Sequence, residues 1–304
     1  MSETQPSAHI GIIGGSGLYQ IDGLTDVQEF YPDTPWGKPS DALIVGSLNG
    51  ERLAFLPRHG RGHRISPTDL PVRANIYALK MLGVAWVLAV SAVGSMKEEI
   101  VPLDLVVPDQ IFDRTLGRTN SFFGDSAGIV VHTAFAQPFC ETLRPVVFEE
   151  ASQSGARQVH NGGTYICIEG PQFSTLAESQ IYRSWGVDII GMTAIPEAKL
   201  AREAEMHYVT LAAATDYDCW YAGHASVTVE MVIANLNKNT MRAKQIIANV
   251  VQRIGALERE SSTNKNFEWR CGCANALQNA IVTDRQLILP QTVQKLGLLL
   301  KKYF

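Results

Sequence analysis

Short β-branched runs alternate along this chain with longer stretches of helical spacing, the pattern of an α/β protein whose sheet is covered on both faces. Residues 9–13 read as a buried strand that runs straight into Gly14-Gly15-Ser16-Gly17. Leu70, Ile76, Leu79 and Leu82 recur at helical intervals, and with Gly83 as a stop they predict a helix over 67–82. A second buried strand is predicted at 85–93, and further strands at 104–112, 163–168, 188–192 and 207–215. Helices are expected at 138–154, at 175–185, from about 196 onwards and, longest of all, over 227–254. Residues 258–266 are polar and turn-rich and predict a linker. After it, 292–304 has the spacing of an amphipathic helix that could dock on the body or on a neighbouring subunit. The expected organisation is one domain over 9–255, followed by a linker and C-terminal appendage over 256–304.

Composition narrows the class. With 304 residues, 46% hydrophobic and 18% charged, the chain can bury a full core. Its net charge of −4 and the lack of a Lys/Arg stripe remove the electrostatic footprint of nucleic-acid binding. No apolar stretch is long enough to span a bilayer, and the opening MSETQPSAH has neither the basic start nor the apolar run of a targeting peptide. A cytoplasmic protein with no membrane or nucleic-acid partner is expected. The five cysteines are odd in number and sit mostly in apolar text, which suits reduced thiols. Cys271 and Cys273 are close neighbours, but a Cys-x-Cys pair without a second pair or a nearby His is weak evidence for zinc, so no metal site is expected.

Candidate chemistry gathers at the strand ends. The glycine turn after residue 13 lets backbone N–H groups approach a phosphate, and Ser16 adds a hydroxyl, although a plain tight turn would look the same. Arg58-His59-Gly60-Arg61-Gly62-His63 packs four donor or cationic side chains into six residues, either a solvated basic loop or an anion site. Ser91 and Ser95 lie at the carboxyl end of a buried strand, where open α/β sheets hold ligands. Asp216 and Asp218 flank Tyr217 at the end of another; unpaired charge there is costly without a ligand or partner. Phe173, Met192 and Val229 fit either the core or a stacking wall.

Taken in order, the strings IGIIGGSGL, PWGKPSDAL, RHGRGH, AVGSMKEEI, IEGPQFSTLAES, GMTAIPEAKLARE and ATDYDCW resemble the methylthioadenosine phosphorylase branch of the trimeric purine nucleoside phosphorylases, over roughly residues 9 to 255. The resemblance implies a central twisted mixed β-sheet flanked by helices and a homotrimer that binds a small-molecule nucleoside. Inorganic phosphate is the co-substrate, with no other cofactor. It implies that phosphate sits among Ser16, Arg58, His59, Ser91, the Ala92 backbone and Thr193, that Met192 lies under the ribose and Phe173 against the base, and that Asp216 and Asp218 face the purine. A 5'-methylthio pocket would be formed by Ser174, Val229, Val232 and Ile233, with His132 reaching in from a neighbouring subunit.

The activity so implied is phosphorolysis of 5'-methylthioadenosine to adenine and 5-methylthioribose 1-phosphate. Breaking an N-glycosidic bond makes the sugar an oxocarbenium ion, which phosphate stabilises and captures, while Asp216 acts as acid to the leaving base. That role requires a raised carboxyl pKa. A carboxylate also accepts from the adenine amino group, where a 6-oxopurine presents an acceptor, so Asp216 with Asp218 points to adenine. A phosphorylase for 6-oxopurine nucleosides or methylthioinosine on the same fold is the alternative, and a catalytically silent nucleoside-binding protein a further one. Ser16 and Ser91 stand where threonine is common in the branch, and Gly191 where a polar residue is often found.

Overall fold

The structure is a computed structural model and describes residues 5–15, 18, 21–124, 127–221, 229–264, 267 and 269–304; the side chains of Val229, Met231, Val232 and Leu236 lie outside that description. Ser16, Val229 and Val232, expected at the site, therefore fall wholly or in their side chains outside the described residues.

Among the described residues, eleven strands form one mixed sheet. In chain order they are β1 (Ile10–Gly14), β2 (Thr25–Phe30), β3 (Leu43–Leu48), β4 (Glu51–Pro57), β5 (Trp86–Ser95), β6 (Leu105–Val107), β7 (Gln110–Arg114), β8 (Val159–Asn161), β9 (Thr164–Ile168), β10 (Ile189–Gly191) and β11 (His207–Asp216). The helices are α1 (Val72–Met81), α2 (Leu143–Ser152), α3 (Leu176–Ser184), α4 (Ala194–Glu203), α5 (Val229–Thr263), α6 (Pro290–Lys295) and α7 (Gly297–Leu300). The main path runs β2-β3-β4-β1-β5-β10-β9-β7, and β11 pairs with both β5 and β6.

The centre is parallel. β1 and β11 both run alongside β5, and every residue of β1 and β11 is buried, as strands covered on both faces require. Their carboxyl ends emerge together: Ala212 lies opposite Ser91 and Ala213 opposite Ala92. A register shift between Ala214 and Asp216 then sets Asp216 opposite Gly94. Such a bulge re-aims a side chain at the end of a ladder.

Helix starts and stops follow local chemistry. Thr175 caps α3, accepting from the Glu178 backbone while the Glu178 side chain accepts from the Thr175 backbone, a complete capping box. α1 begins only after Pro71, because 67–70 turns before the helix can start. The strand expected over 104–112 is two strands, β6 and β7, parted around Pro108, which has no N–H to give a ladder.

The C-terminal third departs most from the sequence pattern. α5 runs on through residue 263, so the expected linker is largely helix: Glu, Arg and Ser do not break a helix once it is started. Ile246, Ile247, Val250, Val251 and Ile254 are fully buried along one face, and α5 packs on β11, β5, β4 and α2. Glu258 accepts from the Trp86 indole at 2.7 Å and pairs with His9, tying the helix end to the sheet. The segment after 267 packs on its own body, with Cys273, Leu277, Ile288, Leu296, Leu299 and Leu300 buried in the main core. The single amphipathic helix expected over 292–304 is two short ones, because Gly297 follows a turn at Leu296.

Candidate active site

A cavity of about 220 Å3 opens at the carboxyl ends of β1, β5 and β11. It gathers Arg58, His59, Ser91, Ala92, Phe173, Ser174, Met192, Thr193, Asp216 and Asp218, ten expected residues drawn from five separate stretches of chain. Gly15, from the glycine turn, also lines it.

Arg58 follows β4 and is almost wholly buried. Its Nε donates to Glu197 Oε1 at 2.5 Å and its Nη2 to Oε2 at 3.1 Å, while Nη1 donates to the Val90 carbonyl at 2.8 Å. A guanidinium has five N–H donors, so this fork leaves two for a ligand while fixing the plane of the group. Burial by itself would weaken its charge; the facing Glu197 carboxylate more than offsets that and raises the Arg58 pKa. Glu197 also accepts from the Tyr208 hydroxyl at 2.9 Å. His59 Nδ1 lies 2.9 Å from the Ile65 carbonyl, which can only accept, so Nδ1 carries the proton. Burial, with the Arg58 charge beside it, pushes the ring pKa down to about 4, leaving a neutral imidazole with a lone pair on Nε2.

Ser91 Oγ and Thr193 Oγ1 are 3.0 Å apart and both buried, one from β5 and one from the residue before α4. Two carboxylates line the same cavity. Asp216 accepts from Thr215 Oγ1 at 2.7 Å and from the Asp218 backbone N–H at 2.9 Å. Asp218 accepts from Ser179 Oγ at 2.5 Å. Burial raises both pKa values, and for Asp218 the neighbouring Asp216 charge adds to it. At Asp216 the shift is in the direction that a leaving-group acid would need. Asp218 holds a left-handed backbone, φ 52°, which aspartate tolerates better than most residues.

Met192 lies under the cavity where Gly170 makes room: a Cβ on Gly170 would sit 2.5 Å from the Met192 sulfur, and its φ of 69° excludes most side chains anyway. The unusual Gly191 has a comparable cause. A Cβ there would stand 2.0 Å from the Tyr165 hydroxyl, and that hydroxyl, 3.5 Å from Ser91 Oγ, brings polar function to the space a side chain at 191 would fill. Burial pushes the Tyr165 pKa up to about 12, so it remains a neutral phenol.

Two expected residues lie elsewhere. Ile233 is half exposed and does not line the cavity, because its position on the first turns of α5 turns it outward in a single chain. His132 borders a separate cleft against the C-terminal segment, its backbone N–H donating to the Ala280 carbonyl at 2.8 Å. His63, the last residue of the basic hexapeptide, also lines the cavity, while three functional candidates escaped the sequence reading: Glu197, Tyr165 and Asn239. Glu197 carried a faint signal, an acidic residue beginning a helix beside a phosphate motif; the others have none, since strand and helix text does not reveal which side chain faces a cavity. Ser174 Oγ and Asn239 Nδ2 are buried without a hydrogen-bond partner among the described residues, and both residues line the cavity. Unpaired buried polar atoms cost about 1–3 kcal/mol each, a cost that a polar ligand removes. Arg118, also unforeseen, donates to the Met192 and Ile195 carbonyls at 2.7 Å each and pairs with Glu169, clasping the turns that carry Met192 and Thr193.

Comparison with known proteins matches nearly the whole chain. The sequence model of the Phosphorylase superfamily matches residues 9–252. An S-methyl-5'-thioadenosine phosphorylase of Gloeobacter violaceus is 52% identical over 301 residues, covering 98% of this chain and 97% of its own. Among solved structures, a methylthioadenosine phosphorylase from an antarctic soil metagenomic library superposes with a TM-score of 0.88 at 45% identity, covering 97% of this chain and 99% of that one. The methylthioadenosine phosphorylase of Schistosoma mansoni in complex with adenine gives 0.78 at 39% identity, covering 82% and 93%. The alignment of the bacterial relative runs through the C-terminal segment, which is thus shared beyond the region of the superfamily model. On this sequence identity and the matching fold, the chain belongs to the phosphorylase superfamily, among its methylthioadenosine phosphorylases.

Proposed function

We infer that this protein is a phosphate-dependent pentosyltransferase that converts 5'-methylthioadenosine and phosphate to adenine and 5-methylthioribose 1-phosphate. The observation that carries the reading is the meeting, in one cavity, of a buried Arg58 with neighbouring hydroxyls and a pair of carboxyls with raised pKa values.

In the proposed arrangement the two free N–H groups of Arg58 and the hydroxyls of Ser91 and Thr193, with Ser16 from the glycine turn, hold phosphate. Neutral His59 accepts a hydrogen bond at Nε2 from the hydroxyl of monohydrogen phosphate, which keeps its proton, and so selects its orientation. The sugar lies over Met192 and the base beside Phe173. As the glycosidic bond lengthens, the developing oxocarbenium is stabilised by phosphate on one face. The departing purine takes the proton of Asp216 at its five-membered ring, so that it leaves neutral. Asp218 accepts from the exocyclic amino group, which disfavours a 6-oxo base. Phosphate oxygen then bonds to the anomeric carbon.

The site is proposed to be completed by assembly. α3 exposes Leu176, Ile181 and, just past its end, Trp185, with Phe112 packed against the Trp185 ring at 5.3 Å. Exposed large apolar side chains gathered in this way mark an interface. A homotrimer would cover them and bring His132 of one chain toward the half-open side of a neighbour's cavity, where Phe173 is 47% exposed. No helix of the described residues is long and apolar enough to cross a membrane, and the cytoplasm is the proposed location.

The test is substrate-resolved: methylthioadenosine, adenosine, methylthioinosine and inosine, each with and without phosphate, with released base read by chromatography. Phosphate-dependent adenine release from methylthioadenosine, fastest of the four, is expected. Preference for the 6-oxo nucleosides would overturn the assignment of Asp216 and Asp218.

A further inference from the structure

At the opposite end of β11 from the cavity carboxylates, four side chains from three distant parts of the sequence converge. They are Cys140, from the loop before α2; His207, the first residue of β11; and Cys271 and Cys273, from the C-terminal segment. Their three sulfurs and one imidazole nitrogen all lie within 4.8 Å of one another. His207 Nδ1 is 3.2 Å from Cys140 Sγ and 3.2 Å from Cys271 Sγ, and those sulfurs are 3.4 Å apart. None of the five cysteines forms a disulfide.

The spacing is that of a coordination tetrahedron. With Zn–S about 2.3 Å and Zn–N about 2.0–2.1 Å, the donors around a zinc ion stand about 3.5–3.8 Å from each other, so small shifts from the observed distances suffice. Three thiols and an imidazole are a soft donor set of three sulfurs and one nitrogen, which favours Zn2+ over the hard cations. The surroundings orient the donors. The His207 ring stacks on Trp86 at 3.8 Å and 12°, and Cys140 is held by its backbone bond to Tyr208 and receives the Leu143 N–H on its sulfur at 3.3 Å. Thr142 Oγ1 donates to Cys271 Sγ at 3.4 Å, a bond suited to a thiolate. Cys271 and Cys273 also border the cleft shared with Arg202 and His132, which provides access for an ion.

We propose that Cys140, His207, Cys271 and Cys273 form a structural zinc site that fastens the C-terminal segment to the body of the protein. All four positions are filled by protein, so the site offers no open position for chemistry. Binding Zn2+ displaces the protons of the thiols that coordinate it. Cys-x-Cys alone carried too little signal in the sequence, because its His stands 64 residues away and its third Cys 131 away, both supplied by the fold.

The test is metal analysis of the full-length protein, purified without chelator from zinc-supplemented cells, beside a Cys271→Ser/Cys273→Ser variant. About one zinc per chain is expected in the native protein and a near-complete loss in the variant. Because that variant could fail to fold, the native protein is also stripped of metal under reducing conditions and titrated with Co2+. Thiolate-to-cobalt charge transfer and the intense visible bands of a tetrahedral ion are expected, saturating at one equivalent and reversed by Zn2+. Limited proteolysis of the metal-free protein is expected to cut within 264–304 at least tenfold faster than in the zinc form. Substoichiometric zinc together with no tetrahedral cobalt spectrum would overturn the proposal. So would a thiol count on the unreduced, denatured protein that falls two short of the five cysteines, since the cluster would then be a disulfide.

Discussion

Asp216 and Glu203 are both buried carboxyls with raised pKa values, yet they sit in different settings and predict different pH effects. Asp216 lines the cavity, and in the proposed mechanism its proton goes to the leaving base. Turnover is therefore expected to fall as pH rises through the raised Asp216 pKa. Asp216→Asn should lose about 10²-fold or more in kcat and that pH dependence with it, while phosphate KM changes little. A variant that keeps full methylthioadenosine turnover would remove the leaving-group role. Glu203 lies outside the cavity and accepts from Ser121 Oγ and the Phe122 N–H, each at 2.7 Å. Burial nevertheless lifts its pKa from 4.5 to about 7. The folded state binds this proton more tightly than the unfolded chain does. Its contribution is complete below the unfolded value and is lost as pH rises to about 7, a change of about 3 kcal/mol. Urea denaturation at pH 5 and pH 8 is expected to show that decline, and Glu203→Gln to flatten it. The motif residues Arg58, His59, Asp216 and Asp218 were legible because their types are improbable at buried strand ends. Glu197 and Tyr165 were not, because what distinguishes them is the partner each meets across the fold.

At the scale of elements, strands β1, β5, β9, β10 and β11 were legible from runs of apolar residues, since a strand buried on both faces reads as continuous hydrophobic text. β2 was not: its six residues are exposed or half-exposed and carry Asp, Gln and Glu, so that only pairing with β3 makes it a strand. The helical continuation past 254 was hidden for a similar reason, its anchors being single polar contacts from Glu258 and Arg259 to the sheet rather than an apolar stripe. Between elements, the Arg58–Glu197 pair joins β4 to α4. Glu197→Gln leaves a buried guanidinium facing a neutral amide and should cost about 3–5 kcal/mol by denaturant unfolding. Gly191→Ala should weaken the protein by driving Tyr165 off Ser91; a Tyr165→Ala/Gly191→Ala double variant that recovered none of the lost stability would show that the two positions do not share that space.

For the whole molecule, the fold class was legible and the tail was not. Its apolar residues are too widely spaced between turns to announce that they complete the main core. Truncation after residue 260 is accordingly expected to unfold or aggregate the protein rather than leave a trimmed enzyme, as read by circular dichroism and gel filtration. Sedimentation equilibrium should return three times the 33.3 kDa chain mass. His132→Ala should raise the methylthioadenosine KM by about tenfold with phosphate KM unchanged; a monomer of full activity would overturn the proposed completion of one chain's site by another.

The left-handed backbone at Asp218 shapes how this enzyme can evolve. Its N–H donates to Asp216, so the position must keep both the turn and the donor. Glycine and asparagine meet that demand with little strain, but glycine discards the side chain proposed to face the purine. Asparagine is one nucleotide from aspartate and exchanges an acceptor-only group for one that can also donate. A lineage drifting from adenine toward 6-oxopurines thus has an inexpensive first step at this residue, whereas most other replacements would have to rebuild the loop before they could read a new base.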